Sequence, residues 1–339
     1  MSRICIIYTG GIIGMVPIEN GFAPKKGFFI NELEKIPALK RKDVPDWDFV
    51  ECDPLLDSSN ITHNEWNQIA HMIEERYDTY DGFVVLHGTD TMAYSASALS
   101  FMLEGLSKPV IFTGSQIPLC ELRSDGQDNL ITSMIIAGEG IVQEVCLYFG
   151  SYLLRGNRAI KSSADKLIAF SSPNYPPLAS VGIDIEYNHK MLLKAEHLPL
   201  HVTELKPCRI GVVKLFPGIQ FGVFSPVITE GLDGLVLETF GTGNVPSYDR
   251  SLPPLIKQAI ESGTTVVACT QCLQGTVRLS AYETSSALAR AGAVSGYNMT
   301  TESAVTKLAY LLSSGCSQEE IRKLMETDLR GELTKQVKI

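Results

Sequence analysis

The sequence is poor in positive charge. Its 29 Lys and Arg are outnumbered by 38 Asp and Glu, giving a formal net charge of −9 and a pI near 5.3. No basic face is left for a polyanion, so neither nucleic acid nor anionic membrane is expected as a partner. Histidine is scarce as well. The six present stand apart, and no second Cys or His pair lies at ligand spacing from Cys269-Thr-Gln-Cys272, which argues against zinc. No apolar run approaches the length of a membrane span. The first strand is entered at Arg3, which leaves no room for a signal peptide, and the expected compartment is the cytoplasm. The eight cysteines are scattered, several of them inside apolar strands where a thiol behaves as a small hydrophobe. Cys269 and Cys272 have redox spacing, but they lead into Gly275 and Thr276 rather than a helix, whose N-terminus a thioredoxin-like pair needs to lower its thiol pKa.

What is present is apolar material in strand-length pieces. At 339 residues and 45% hydrophobic content, the chain can fill two cores. Arg3-Ile-Cys-Ile-Ile-Tyr-Thr-Gly-Gly-Ile-Ile-Gly-Met15 is a β-branched run that stops at a hydroxyl and opens into paired glycines, which permit positive φ and close approach of backbone N–H groups to a ligand. Val84-Val-Leu-His-Gly-Thr-Asp90 and Val110-Ile-Phe-Thr-Gly-Ser115 repeat the pattern. Between them, Thr62-His-Asn-Glu65 reads as a capping box, opening a helix to about Tyr77, and Ser124-Asp-Gly-Gln127 reads as another. Gly82–Leu86 is apolar throughout, as a strand covered on both faces requires. The strand-helix rhythm predicts an α/β fold: a larger N-terminal domain with a doubly wound, mainly parallel sheet, and a smaller C-terminal α/β domain. The boundaries are 1–190, a link over 191–208, and 209–339.

In such a sheet, ligands sit outside the carboxyl ends of the strands. The loops at 9–14, 54–60, 87–91 and 113–118 are all of that kind and are expected to converge. Each of their polar residues has a plainer role beside a functional one. Asp57 and Ser58 fit turn chemistry. Asp90 fits a helix N-cap, or a carboxylate presented together with the Thr89 hydroxyl. Lys161, in the basic patch Arg155-Gly-Asn-Arg-Ala-Ile-Lys161, fits a solvated face, or a buried amine facing Asp90 that acts as a base. Val16 to Lys26, broken by Pro17, Gly21 and Pro24, is expected to be a loop, with Phe22 either a plug on closure or a loop hydrophobe touching the core.

Taken together, Thr9-Gly-Gly-Ile-Ile-Gly14, Asp57-Ser-Ser59, His87-Gly-Thr-Asp-Thr-Met-Ala93, Thr113-Gly-Ser-Gln116 and Lys161 resemble the bacterial-type L-asparaginases, specifically the cytoplasmic type I branch. Tyr80-Asp-Gly-Phe-Val-Val-Leu-His-Gly-Thr-Asp-Thr-Met-Ala-Tyr94 and Leu329-Arg-Gly-Glu-Leu-Thr334 extend the resemblance essentially end to end. It implies hydrolysis of L-asparagine to L-aspartate and ammonia through a covalent acyl intermediate, no metal or organic cofactor, and a homotetramer built as a dimer of dimers. By the same resemblance, Thr89 is the second catalytic hydroxyl, activated with Lys161, and Asp90 supports that lysine and holds the substrate ammonium. Ser58 and Asp57 bind the α-carboxylate and ammonium end, and Ser115 lies near the side-chain amide through its backbone.

One departure stands out. Where the family follows its glycine pair with the nucleophilic threonine, this chain has Ile12, which has no hydroxyl and cannot form an acyl-enzyme. Phe22 stands where many relatives carry a tyrosine whose phenol assists that nucleophile. Three accounts remain open: an inactivated or variant asparaginase, a noncatalytic amino-acid binder, or an enzyme in which Thr89 is the nucleophile and Lys161 its base.

Overall fold

A computed structural model describes residues 2–335, apart from 20, 196–197, 249–250 and 280–282. The chain divides into two compact units after Val202. In chain order the first holds β1 (Arg3–Gly10), β2 (Met15–Ile18), β3 (Gly21–Pro24), α1 (Phe29–Glu34), β4 (Asp46–Leu56), α2 (His63–Glu74), β5 (Gly82–Leu86), α3 (Met92–Met102), β6 (Leu103–Glu104), β7 (Val110–Thr113), α4 (Gly126–Glu139), β8 (Val145–Phe149), β9 (Tyr152–Arg155), β10 (Ile160–Lys161), β11 (Phe170–Ser171), β12 (Ala179–Val181), β13 (Ile185–Tyr187) and β14 (His201–Val202).

Its main sheet has the order β13-β12-β9-β8-β7-β5-β1-β4. The strands from β8 to β4 run parallel, and β9, β12 and β13 extend the edge antiparallel. The apolar runs are continuous because both faces are covered. Ile4, Ile6 and Tyr8 pack with Val84, Leu86, Leu130 and Met134 on one side, and the alternate residues Cys5 and Ile7 are fully buried as well. The chain goes from β1 to β4 on one side and returns to β5 on the other. That reversal puts the topological switch point between β1 and β5, where a crevice opens at the strand ends. The Thr62–Glu65 box is present: Thr62 N donates to Glu65 Oε2 at 2.7 Å and Asn64 N to Thr62 Oγ1 at 3.3 Å.

Two local expectations are revised. Val16 to Lys26 is mostly a hairpin, with Pro17 opposite Phe22 and Met15 opposite Pro24; an isolated two-stranded ribbon has free edges at which proline costs no ladder bond. Ser124 does not form a capping box; its hydroxyl accepts from Gly126 N and donates to Ile117 O. The first part of the 191–208 link is bonded to the first unit. Met191 O accepts from Arg155 and Tyr175, Leu193 N donates to Glu144, and Val202 pairs with Leu103.

The second unit holds β15 (Ile210–Lys214), α5 (Ser225–Glu230), β16 (Gly234–Thr239), α6 (Leu252–Glu261), β17 (Thr265–Thr270), α7 (Glu283–Ala291), β18 (Val294–Ser295), α8 (Thr301–Ser313) and α9 (Gln318–Met325). Its four strands are parallel, in the order β15-β16-β17-β18. A Ser317–Glu320 capping box opens α9. Cys269 is buried in β17, which pushes its thiol up to about 12, whereas Cys272 is exposed. That is the opposite of the activation a redox pair needs. Among the described residues no helix is long and apolar enough to cross a membrane.

Candidate active site

The glycines explain how the loops meet. Gly11 follows β1 with φ 85°, and a Cβ there would lie 2.5 Å from Gly88 N. The turns after β1 and β5 therefore touch backbone to backbone at the switch point, which only glycine permits. A Cβ on Gly88 would in turn lie 2.5 Å from Ser58 Oγ, and Thr91 Oγ1 donates to Ser58 O at 2.7 Å. These contacts draw the loop after β4 into the same place. Ser58 is buried, and the exposed Asp57 caps its short turn by accepting from Ser59 N at 3.0 Å.

Thr89 is buried at the centre. Lys161, delivered by β10, donates to Thr89 Oγ1 at 2.9 Å and to Asp90 Oδ1 at 2.7 Å. Lys161 is 20% exposed rather than buried, and Asp90 is 65% exposed. Thr91, not Asp90, takes the N-cap position of α3, which leaves the Asp90 carboxylate for the lysine. The Thr89 hydroxyl also donates to Gln116 Oε1 at 3.2 Å. Ser115 is buried, its Oγ without a hydrogen-bond partner among the described residues. Ile12 begins a short turn that ends at Gly14 and is partly buried, while Ile13 is fully buried. Phe22 is nearly half exposed on β3, and that strand lies against the Ile12–Gly14 turn.

The four loops thus come together as their strand-end positions predict, and Thr89, Asp90 and Lys161 are in direct contact. Two further residues take part that were given no role in the motifs holding them, Gln116 and Asp125. Gln116 bridges Thr89 to the loop after Lys161. Asp125, at the start of α4, accepts from Gln116 N at 3.0 Å and Ile117 N at 3.1 Å. Nothing in local spacing announces either bond, because the partners come from different turns.

His87 holds the central turn from below. Its Nδ1 donates to Gly88 O at 2.7 Å, its Nε2 is buried without a partner among the described residues, and burial pushes the imidazole down to about 4. It is a neutral brace, and protonating it opposes folding. The unfolded chain takes up this proton near pH 6.5 and the folded one only at lower pH. The first unit is therefore expected to lose about 1.4 kcal/mol of stability per pH unit as pH falls from about 6.5 toward about 4. Urea unfolding followed by the fluorescence of Trp47 and Trp66 measures this slope, and His87→Asn should flatten it.

Comparison with known proteins agrees over both units. Residues 3–193 match the family model "Asparaginase, N-terminal", and residues 209–325 match "Glutaminase/Asparaginase C-terminal domain". The chain is 47% identical to L-asparaginase 1 of Escherichia coli K12 over 333 residues, 98% of each. Its fold is similar to L-asparaginase I of Vibrio cholerae (TM-score 0.92, 46% identity, covering 98% of this chain and 99% of that one). It is also similar to the thermostable L-asparaginase of Thermococcus kodakarensis (TM-score 0.90, 33% identity, covering 98% and 100%). With the Thr89, Asp90 and Lys161 cluster at the switch point of its first sheet and family matches over both halves, the chain belongs to the asparaginase family.

Proposed function

We propose that the chain binds L-asparagine and hydrolyses its side-chain amide to L-aspartate and ammonia, with Thr89 as nucleophile and Lys161 as its base. The observation that carries this reading is the contact of Lys161 Nζ with Thr89 Oγ1 at 2.9 Å, with Asp90 2.7 Å from the same nitrogen. In the first half-reaction Lys161, as the neutral amine after one proton has passed to solvent, takes the Thr89 proton and Oγ1 bonds to the amide carbon. Ammonia leaves with a proton returned by Lys161, and a threonine ester remains. In the second half-reaction water gives a proton to Lys161 and attacks the ester, releasing aspartate and restoring the hydroxyl. Asp57, Ser58 and Asp90 hold the α-amino and α-carboxylate end, and Ser115 faces the amide through its backbone. The chain acts as a cytoplasmic homotetramer without metal or cofactor. The catalytic groups lie within residues 1–190, joined through 191–208 to a second domain over 209–339.

Ile12 favours a second reading, because the turn after β1 supplies no hydroxyl: a noncatalytic amino-acid binder. An ammonia assay with L-asparagine, alongside calorimetry, separates the two. Slow but steady ammonia release that falls to the blank in Thr89→Ala is the expected result. A calorimetric asparagine signal with no ammonia would establish the binder instead.

A further inference from the structure

We infer that Gln116 is a positioning residue that holds the Lys161 hairpin against Thr89 and sets the direction of the Thr89 hydroxyl. The inference rests on the roles given above to Thr89 and Lys161. Gln116 Nε2 donates to Ala164 O at 3.1 Å and to Lys166 O at 3.2 Å. With both amide hydrogens so used, its Oε1 is turned to Thr89. The backbone of Gln116 is itself fixed, since Asp125 accepts from its N–H and from that of Ile117. Asn129 Nδ2 ties that carboxylate to Gly114 O. The residue is thus a strut from the loop after β7 to the tip of the β10–β11 hairpin.

The strut matters because the tip is otherwise bonded within itself: Ser162 N and Ser163 N donate to Ala169 O, and Ser163 Oγ accepts from Lys166 N, so Gln116 ties it to the loop after β7. β10 and β11 pair over two residues each, and the tip from 164 to 168 is exposed. The Lys161–Asp90 ion pair is open to water on the aspartate side, and exposed pairs constrain geometry weakly. Gln116 also decides where the hydroxyl hydrogen lies at rest. It is donated to an amide oxygen, which cannot take it, so the lone pairs of Oγ1 face Lys161. Before Lys161 can accept the proton, the hydroxyl has to rotate away from Gln116.

Gln116→Leu keeps the bulk and removes all three side-chain bonds, to Thr89, Ala164 and Lys166. The expected result is a kcat for ammonia release about thirtyfold lower with KM for L-asparagine changed by less than about threefold, because a displaced base slows the chemical step more than it weakens binding. Gln116→Glu keeps an acceptor for Thr89 but sets a carboxylate against two carbonyls. Its rate relative to the unsubstituted chain should recover as pH is lowered and the carboxyl regains a donor. An unchanged kcat in Gln116→Leu, or a loss confined to KM, overturns the inference. Both variants are also measured with Ile12→Thr. Absence of turnover in the unsubstituted chain then counts against Thr89 as nucleophile, while the role of Gln116 is still read out. A crystal structure of Gln116→Leu needs no turnover. Lys161 Nζ is expected beyond hydrogen-bond reach of Thr89, and a retained contact overturns the strut.

Discussion

Ile12→Thr is expected to raise ammonia release from L-asparagine by about a thousandfold. Removing the nucleophile of a hydrolase costs up to about a millionfold, with the remaining machinery still giving substantial catalysis. Here Thr89 and Lys161 already supply a hydroxyl and a base, so the gain is set below that limit. The substitution suits the site. Gly11 is pinned at φ 85° against Gly88, so the backbone that presents position 12 does not depend on its side chain. Threonine keeps the β-branch of isoleucine, and Ile12 is only partly buried, so the cost in stability is about 1 kcal/mol or less. The assay is paired with a thermal midpoint. No gain in a chain that melts normally would mean that Ile12 does not occupy the nucleophile position.

Lys307→Met is expected to destabilise the second unit by about 3–5 kcal/mol, the cost of leaving a buried charge without its partner. Lys307 and Glu332 are both fully buried. The ammonium donates to Met325 O at 3.2 Å, Thr327 O at 2.6 Å and Glu332 Oε1 at 2.5 Å. Glu332 also accepts from Leu329 N and Arg330 N. Burial works against both charges. It lowers Lys307, and it pushes Glu332 upward, but the ammonium and the backbone donors outweigh it there, and the carboxyl ends below its ordinary range. Without Lys307, burial acts on Glu332 with less opposition, and the Leu329-Arg-Gly-Glu-Leu-Thr334 segment loses its anchor. The double variant Lys307→Met with Glu332→Leu should recover much of the loss. Trp47 and Trp66 both lie in the first unit, so hydrogen exchange in α8 and α9 is the suitable measurement. Unchanged protection there would show that the pair is not what holds the segment.

Much of the fold was readable in order along the chain. β5 coincides with the apolar run Gly82–Leu86, because a strand buried on both faces has room for few polar side chains, and those only where they are hydrogen-bonded. Both capping boxes that pair a hydroxyl with a glutamate three residues on are formed. Ser124-Asp-Gly-Gln127 is not one, since α4 starts one residue later, with Asp125 at its N-cap, and the Ser124 hydroxyl donates to Ile117 O. The hairpin after β1 was hidden by its prolines, and α5 by its length of only six residues.

By itself, the sequence determined the family, the alternation of strands and helices, and the loops that carry Ser58, Thr89 and Ser115. It also showed that Ile12 brings no hydroxyl to the turn after β1. These are local properties, set by residue type and spacing. Only the tertiary structure decided that Asp90 serves Lys161 rather than capping α3, and that Gln116 spans two turns. Thr89 meets Gln116 and Lys161 across 27 and 72 positions of chain. Such contacts depend on sheet order and on glycines that let the turns touch, neither of which leaves a periodic trace in the sequence.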